Sequence, residues 1–212
     1  AYTAAVERWT EITGKKPLFI DDTVPYGGSD YTPYIVKAKE AGCKAIAVNG
    51  IEPDAIGQVK AAQAQGWDDV TFLFLTSVYS ENFAKALDWT GGGVHVPAEF
   101  YPFTEDNEIN EDWKSLMEEN DIPLTSFSQG GYLAATYFLD VLEGMDGDIT
   151  RETVAEALKT MEPIENPMVA SPYQFEKVAA QDFEPGAWPV VLKSGTGAWE
   201  KSAEDWLKIP AS

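Results

Sequence analysis

Hydrophobic and polar positions follow two alternating patterns along residues 30–77. Residues 33–42 and 52–66 have apolar positions at helical spacing, and each segment precedes a short apolar run, at residues 43–48 and 70–75. Because parallel strands cannot be joined by a tight turn, the order helix, strand, helix, strand predicts parallel strands with helical crossovers. The two runs are almost continuously apolar, which predicts strands that are covered on both faces.

Residues at the helix ends support this division. Thr32 is expected to cap the first helix, with Pro33 in its first turn, where a missing N–H costs nothing. Gly42 is expected to end that helix in the left-handed conformation. Pro53 opens the second helix, and the carboxylate of Asp54 favours the positive end of its dipole.

The first residues also have helical spacing, with Val6, Trp9 and Ile12 on one face and Gly14 at the end. Residues 17–23 are predicted to form the next strand. A fold of this type normally places a strand before the first helix. We therefore expect the chain to begin partway through a longer protein.

The second half of the chain is predicted to be mainly helical. The helix at residues 126–143 is apolar nearly all round, which predicts burial against several neighbours. Pro97 places the strand at residues 93–100 at an edge of the sheet or at an exit from it, because proline cannot donate to a ladder. Further elements are predicted as helices at 107–120 and 150–161, strands at 173–175 and 188–192, and turns at 91–93 and 194–197.

Charge and composition exclude several classes of partner. The 212 residues include 35 acidic and 15 basic side chains, giving a net charge of −20. Such a surface repels nucleic acid and anionic membranes, so neither is expected as a partner. No run is long and apolar enough to cross a membrane, and no signal-peptide pattern is present in the sequence. Cys43 is the single cysteine, which excludes an intrachain disulfide and indicates a small buried hydrophobe.

Signals for catalysis are weak. His95 is the only histidine and lies in a predicted strand, with no Gly-x-Ser-x-Gly elbow to accompany it. No Cys/His cluster has zinc spacing, and no acidic run has calcium-loop spacing. The pair Asp21 and Asp22 is interpreted as turn or strand-end residues. We therefore predict no catalytic residue, no metal site and no cofactor.

The feature of the sequence that does point to a function is the position of certain residues at the ends of the predicted strands. In an open parallel sheet, ligands bind beyond the carboxyl ends of the strands. The residues there offer short polar groups, backbone amides and aromatic rings, which suit a small polar organic molecule. The alternative is that each of these residues only caps or connects the loop between a strand and a helix and binds no ligand. The candidate ligand-binding residues are Tyr26, Asn49, Gly50, Ile51, Thr76, Ser77, Val78 and Tyr79.

Several segments carry a family resemblance. They are residues 24–34 (VPYGGSDYTPY), Ala-Gly-Cys-Lys-Ala at 41–45, Asn-Gly at 49–50, Tyr-Leu-Ala-Ala at 132–135 and the closing strand at 188–193. Together they resemble the second lobe of type I periplasmic binding proteins, above all the branched-chain amino acid and amide group of ABC transporter substrate-binding proteins.

The resemblance implies an α/β fold: an open parallel sheet with helices on both faces, plus helices of an incomplete first lobe. Residues 1–102 would form most of lobe two, residues 103–168 would return to lobe one, and residues 169–212 would supply closing strands and a tail. The helices in the middle part would then lack the sheet that they should cover. Their apolar faces call for a missing N-terminal lobe or a partner chain.

The resemblance also implies a function: a receptor that closes at a hinge on a small polar or aromatic solute, such as an amino acid, amide or carboxylate. A membrane permease would be its partner, in the periplasm or outside the cell, with or without a lipid anchor. By the same resemblance Tyr2 matches a tyrosine before the first helix of the lobe. In amino acid binders of the family an acid often holds the ligand amino group. The matching loop here has none until Glu81, which argues against an α-amino acid.

Two further hypotheses stay open at this point. One is a sensory or regulatory ligand-binding domain with the same fold and no transporter. The other is an enzyme on a doubly wound sheet, because a fold alone does not determine function. A neighbouring permease gene would favour transport, whereas a fused or adjacent regulator would favour sensing.

Overall fold

The computed structural model of the protein describes residues 2–104, 107–177, 186–193 and 195–208. Within them the α-helices are α1 (Tyr2–Thr13), α2 (Thr32–Glu40), α3 (Glu52–Ala64), α4 (Glu81–Ala86), α5 (Glu111–Glu119), α6 (Ser126–Glu143) and α7 (Arg151–Thr160). The strands are β1 (Ala45–Ala47), β2 (Thr71–Leu73), β3 (Val94–Ala98), β4 (Gly186–Lys193), β5 (Ala198–Lys201) and β6 (Leu207–Lys208). Short 3₁₀ helices occupy Thr76–Val78 and Glu108–Asn110.

The strands form one open sheet in the order β1-β2-β3-β4-β5, with β6 paired to β4. The β1–β2 and β2–β3 pairs are parallel, as predicted from the alternation of helices and strands. The prediction of an α/β fold with an open sheet is confirmed. β4 runs antiparallel to β3, β5 and β6, so the last part of the chain extends the sheet beside β3.

β3 therefore lies inside the sheet, so of the two predicted alternatives for Pro97 the edge is wrong, whereas Pro97 does lie one residue before the end of β3. Pro97 faces Pro189 across the β3–β4 pair. An antiparallel ladder alternates hydrogen-bonded and non-hydrogen-bonded pairs, and two residues without an N–H fit the second kind.

Aromatic side chains dominate the face of the sheet that packs against the helices. Phe72 and Phe74 stack with ring centroids 5.4 Å apart. Phe83 of α4 packs edge-on against Phe74, and Trp89 packs against Phe72 in the same way. The helices α2 and α3 add Ile35 and other buried residues to the same core. This side of the sheet is thus part of one continuous core, which also includes Trp113, Leu133 and Trp199.

The opposite face of the same strands is largely open. Leu73 is 46% exposed and Leu75 is 44% exposed, and Ala45 and Ala47 of β1 are also exposed. The expectation that both apolar runs are covered on both faces is therefore wrong for the described residues. The cause is that α2, α3 and α4 lie side by side and cover the same face.

Residues 15–25 form no strand, so the prediction for residues 17–23 is also wrong. Leu18 is 69% exposed and Ile20 is 56% exposed. An extended segment becomes a strand only when a neighbour pairs with its backbone, and the described neighbour of β1 is β2 alone. The segment is attached instead through Asp21, whose carboxylate lies 2.7 Å from Lys37 of α2.

The helix ends follow the predictions with one exception. Gly14 and Gly42 end α1 and α2 with φ of +67° and +77°. Thr150 accepts a hydrogen bond from the backbone of Thr153, as a capping residue does. Thr32, however, is the first residue of α2 itself, and its N–H donates to Asp30.

The helices of the second half are confirmed in number and order. The predicted bounds of α6 agree with the structure, but its burial does not. Leu133, Tyr137 and Val141 are buried along one stripe, while Phe127 is 71% exposed and Leu139 is 54% exposed. None of the described helices has the length and apolar character needed to cross a membrane.

The predicted strand at 173–175 is reduced to a single bridge between Tyr173 and Ile164. Residues 188–192 lie in β4, as predicted. Of the predicted turn at 194–197, Ser194 lies outside the described residues, and Gly195 and Gly197 have φ of +68° and +61°.

Candidate ligand-binding site

The carboxyl ends of β1 and β2 lie at the same edge of the sheet, because the two strands are parallel and in register. The loop after β1 contains Asn49 and Gly50, and the loop after β2 contains Thr76 and Ser77. The Ser77 hydroxyl donates to the Gly50 carbonyl at 3.3 Å. The structure therefore brings together the two loops that the sequence analysis singled out.

A second bond between neighbouring elements runs from Ser80 to Glu52. The Ser80 hydroxyl donates to the Glu52 carboxylate at 2.6 Å and accepts from the N–H of Phe83 at 2.9 Å. One hydroxyl thus caps α4 and joins it to the first turn of α3. These contacts are made by short side chains, so they hold both loops with little conformational freedom.

The N-terminus of α6 reaches the same edge. The Ser126 hydroxyl donates to the Thr76 carbonyl at 2.6 Å, and the Ser126 N–H donates to the Tyr79 carbonyl at 3.1 Å. The sequence pattern did not predict this contact, because it joins positions 50 residues apart. The helical half of the chain is therefore anchored at the candidate site.

The loop before α2 is held by a buried carboxylate. Asp54 is 3% exposed, and its Oδ1 accepts from the Tyr31 hydroxyl at 2.6 Å and from the Gly27 N–H at 2.8 Å. Burial and the bond to Asp54 raise the pKa of Tyr31, so its hydroxyl stays protonated and able to donate. Tyr26, next to Gly27, is 66% exposed and extends from this loop into solvent.

The predicted site residues differ in what they offer to a ligand. Asn49 is exposed, Ile51 is 45% exposed, and Gly50, Thr76 and Ser77 are half-buried. Tyr2 begins α1, and its side chain lies outside the described residues.

Val78 and Tyr79 are fully buried and offer no surface to a ligand. The ring of Tyr79 packs 4.3 Å from that of Phe103 and 5.5 Å from that of Trp199, and its hydroxyl accepts from the Phe103 N–H at 3.1 Å. The expectation of direct contact by these two residues does not fit this burial. They support the loop from the core side.

One acidic residue at this edge was missed by the sequence analysis. Glu99 directly follows β3, and its N–H donates to the Thr76 hydroxyl at 3.4 Å. Partial burial raises the pKa of its carboxyl. The next strand thus places an acidic residue beside the loop at residues 75–78. The strand-end rule would have found Glu99 if it had been applied to residues 93–100 as well.

The described residues show no metal centre at the strand ends. No three His, Cys, Asp or Glu side chains in the described part of the chain come close enough to hold a metal ion. Two shallow concave surfaces lie elsewhere, one between α1 and residues 16–20 and one between α6 and α7. At the candidate site itself, Asn49 and Ile51 lie exposed on the surface.

Comparison with protein families identifies the class. A sequence model of the periplasmic binding protein family matches residues 1–188, so this chain belongs to that family. Curated protein sequences gave no match to the chain. The fold of the family is that of substrate-binding proteins rather than of enzymes.

Solved structures show the same fold. A solute-binding protein of an ABC transporter from R. palustris in complex with 4-hydroxybenzoate matches 97% of this chain with a TM-score of 0.72 and 18% identity. A leucine-binding protein from Thermotoga maritima matches 93% with a TM-score of 0.67 and 18% identity. A fatty acid ABC transporter substrate-binding protein from Thermomonospora curvata matches 86% with a TM-score of 0.67 and 17% identity.

The chain is shorter than all three of these proteins. It covers 56% of the R. palustris protein, 54% of the leucine-binding protein and 48% of the fatty acid-binding protein. It therefore spans about half the length of the structures that it matches.

Proposed function

We propose that this chain is part of the substrate-binding component of an ABC-type uptake system. It contributes one wall of a site for a small polar or aromatic organic solute, and a second lobe closes over the solute by a hinge movement. The observation that carries this proposal is the joined pair of loops beyond β1 and β2, linked by the Ser77–Gly50 hydrogen bond, in a chain of the periplasmic binding protein family.

The open form of the site supports a two-lobed arrangement. Asn49, Ile51, Thr76 and Ser77 offer polar atoms and a small apolar surface on an edge that is not enclosed. A solute on such an edge would stay largely in water, whereas tight binding of small molecules buries most of the ligand surface. A second wall is therefore required for tight binding.

The division of the chain follows from the same proposal. Residues 1–102 form most of lobe two, residues 103–168 return to lobe one, and residues 169–212 cross back as closing strands and a tail. The exposed apolar side chains of α6, among them Phe127 and Leu139, would then be covered by an N-terminal lobe or by a partner chain.

The proposal extends to partners and location. The solute would be delivered to a membrane permease, and the protein would act in the periplasm or outside the cell. The excess of acidic residues, 35 against 15 basic ones, is compatible with a solute receptor and unfavourable for binding nucleic acid.

A ligand screen on the full-length protein tests the proposal. L-leucine, 4-hydroxybenzoate and a medium-chain fatty acid are added separately, and the melting temperature is measured. A ligand at about 100 times its Kd stabilises the folded state by about 2.7 kcal/mol, because only that state binds it. We expect at least one probe or close analogue to raise the melting temperature.

The variant Asn49→Ala is expected to reduce that rise, because it removes an exposed amide from the proposed site. The variant Glu40→Ala, at an exposed position at the end of α2, serves as the control and should leave the rise unchanged. The proposal fails if a broad panel of amino acids, amides and aromatic or aliphatic acids leaves the melting temperature unchanged.

A further inference from the structure

The side chain of Asp54 is the most deeply buried carboxylate near the strand ends. It is 3% exposed and lies in the first turn of α3. The donors described around it are neutral: the hydroxyl of Tyr31 at 2.6 Å, the N–H of Gly27 at 2.8 Å and the N–H of Ile51 at 3.5 Å. A buried charge is costly unless such bonds satisfy it, so this arrangement calls for an explanation.

The three donors belong to different parts of the candidate site. Gly27 follows Tyr26 in the loop before α2, Tyr31 directly precedes α2, and Ile51 closes the loop after β1. The bond to Ile51 is an ordinary helix-capping contact within α3. The bonds to Gly27 and Tyr31 are long-range, joining positions 27 and 23 residues apart.

Tyr31 completes a closed set of contacts. Its hydroxyl donates to Asp54 and accepts from the Gly28 N–H at 2.8 Å, so the loop bonds to the carboxylate both directly and through this ring. The ring itself lies against Gly57 of α3, where an added Cβ would be 2.5 Å from its Cδ2. Gly57 therefore provides the space that lets Tyr31 approach Asp54.

We propose that Asp54 is a positioning residue that fixes the loop carrying Tyr26 against the loop carrying Asn49, Gly50 and Ile51. Without the carboxylate, the Gly27 and Tyr31 donors lose their common acceptor, and nothing else described holds Gly27 at α3. The exposed ring of Tyr26 would then sample many positions. The effect on ligand affinity rests on the proposed function, whereas the effect on the loop does not.

The loop is tested first, without any ligand. Chymotrypsin cleaves after exposed aromatic residues, and cleavage after Tyr26 requires the loop to open locally. In Asp54→Ala we expect this cleavage to be at least about tenfold faster, because local opening becomes less costly. Cleavage after Phe127, which is 71% exposed but lies in α6, serves in the same molecule as the reference for wider unfolding.

Three variants separate the loop contact from general stability. Asp54→Asn keeps an acceptor oxygen for Gly27 and Tyr31 and loses only the long bond to Ile51, so it should cleave as slowly as the wild type. Tyr31→Phe should cleave faster, because it removes the hydroxyl that joins both sides. Gly57→Ala should act in the same direction, by displacing the ring of Tyr31 from the helix.

Tyr34→Phe is the matched control for Tyr31→Phe, since its hydroxyl makes only a 3.4 Å bond at an exposed position. If Asp54→Ala is cleaved after Tyr26 no faster than the wild type, the proposal is overturned. Equal acceleration at Tyr26 and Phe127 would also overturn it, because Asp54 would then act on stability as a whole.

Ligand affinity of the full-length protein is measured next, with L-leucine and 4-hydroxybenzoate as probes. For a probe that the wild type binds, we expect Asp54→Ala to weaken binding about tenfold and Asp54→Asn to restore it. Unchanged affinity despite fast cleavage would overturn the role in positioning the site. If the wild type binds neither probe, that result counts against the proposed function for these ligands, and the cleavage data alone decide the role of Asp54.

Discussion

Large apolar side chains are buried in the α/β part of the chain, whereas many of them are exposed in its helical part. Between residues 31 and 104, the aromatic residues of β2, α4 and the segment after it are fully buried and in contact with one another. In α6 and α7, large apolar residues remain in solvent, with Phe127 at 71% and Leu139 at 54% exposure. α7 has no buried residue at all.

This difference shows which part supplies its own core. A sheet with three helices on one face removes apolar surface from water by itself, whereas α5 and α6 bury only a stripe and α7 buries no residue. α6 has the sequence of a helix that packs on two sides. The α/β part is therefore expected to determine stability, and the helical part to depend on what covers it.

A matched pair of truncations tests this comparison most strongly. Phe72→Ala removes a fully buried ring between Phe74 and Trp89 and should cost about 3–5 kcal/mol of unfolding free energy. Phe127→Ala removes an exposed ring of the same size and should change that free energy by less than about 0.5 kcal/mol. Urea unfolding of the 212-residue chain measures both. A large cost for Phe127→Ala would mean that α6 is covered in solution.

The connection between the two parts is expected to give the next largest effect. Gln129 of α6 is fully buried, and its Nε2 donates to the Tyr101 carbonyl at 2.9 Å and to the Asn110 side chain at 3.1 Å. Gln129→Ala removes both bonds, at a cost of about 1–3 kcal/mol, although the Tyr101 carbonyl keeps a 3.3 Å bond from the Asn110 amide. Urea unfolding followed by tryptophan fluorescence checks this, with Glu143→Ala, at an exposed position of α6, as a control that leaves the Gln129 contacts in place. Unchanged stability would show that α6 is not attached through Gln129.

The pH dependence of stability should depend on Glu99, at the junction of the two parts. Its pKa is raised by burial, so the folded state holds the proton more tightly than the unfolded state does. The contribution of Glu99 to the free energy of unfolding is present at pH values below its pKa in the unfolded chain. It is lost as the pH rises through the higher pKa of Glu99 in the folded state. In Glu99→Gln this fall should disappear, as melting temperatures between about pH 4 and pH 7 will show. An identical pH profile in both proteins would contradict the prediction.

The smallest effect is expected at the ion pair of Asp21 and Lys37. The ammonium of Lys37 and the hydroxyl and N–H of Thr23 lower the pKa of Asp21 to about 2. This stabilisation is present above the unfolded pKa near 3.8 and is lost as the pH falls towards 2. At neutral pH, Lys37→Met should lower the free energy of unfolding by less than about 1 kcal/mol, because Lys37 is well exposed. At pH 2 the same change should have almost no effect on that free energy. Acid titration of the melting temperature measures the difference, with Lys60→Met as the control.

Local patterns predicted the elements well where neighbours in the chain decide the outcome. The bounds of α6 and the left-handed ends at Gly14 and Gly42 depend on contacts within a few residues. The loops with Asn49 and Ser77 were also identified in advance, because parallel strands place their carboxyl ends together.

Predictions failed where a distant segment decides the outcome. Residues 17–23 have the composition of a strand but no partner for their backbone among the described residues. β1 has the composition of a buried strand but lies open on one face. Glu99 and Asp54 became candidates only when β3 and the loop before α2 were placed beside the two predicted loops.

The sequence by itself determined the order of helices and strands, the parallel pairing of β1 and β2 and the family, because turn residues, apolar spacing and helix ends act locally. The tertiary structure alone decided which faces are covered, where β4 joins the sheet and which charged groups meet at the site. Those outcomes depend on contacts between residues far apart in the chain, and no local pattern encodes their geometry.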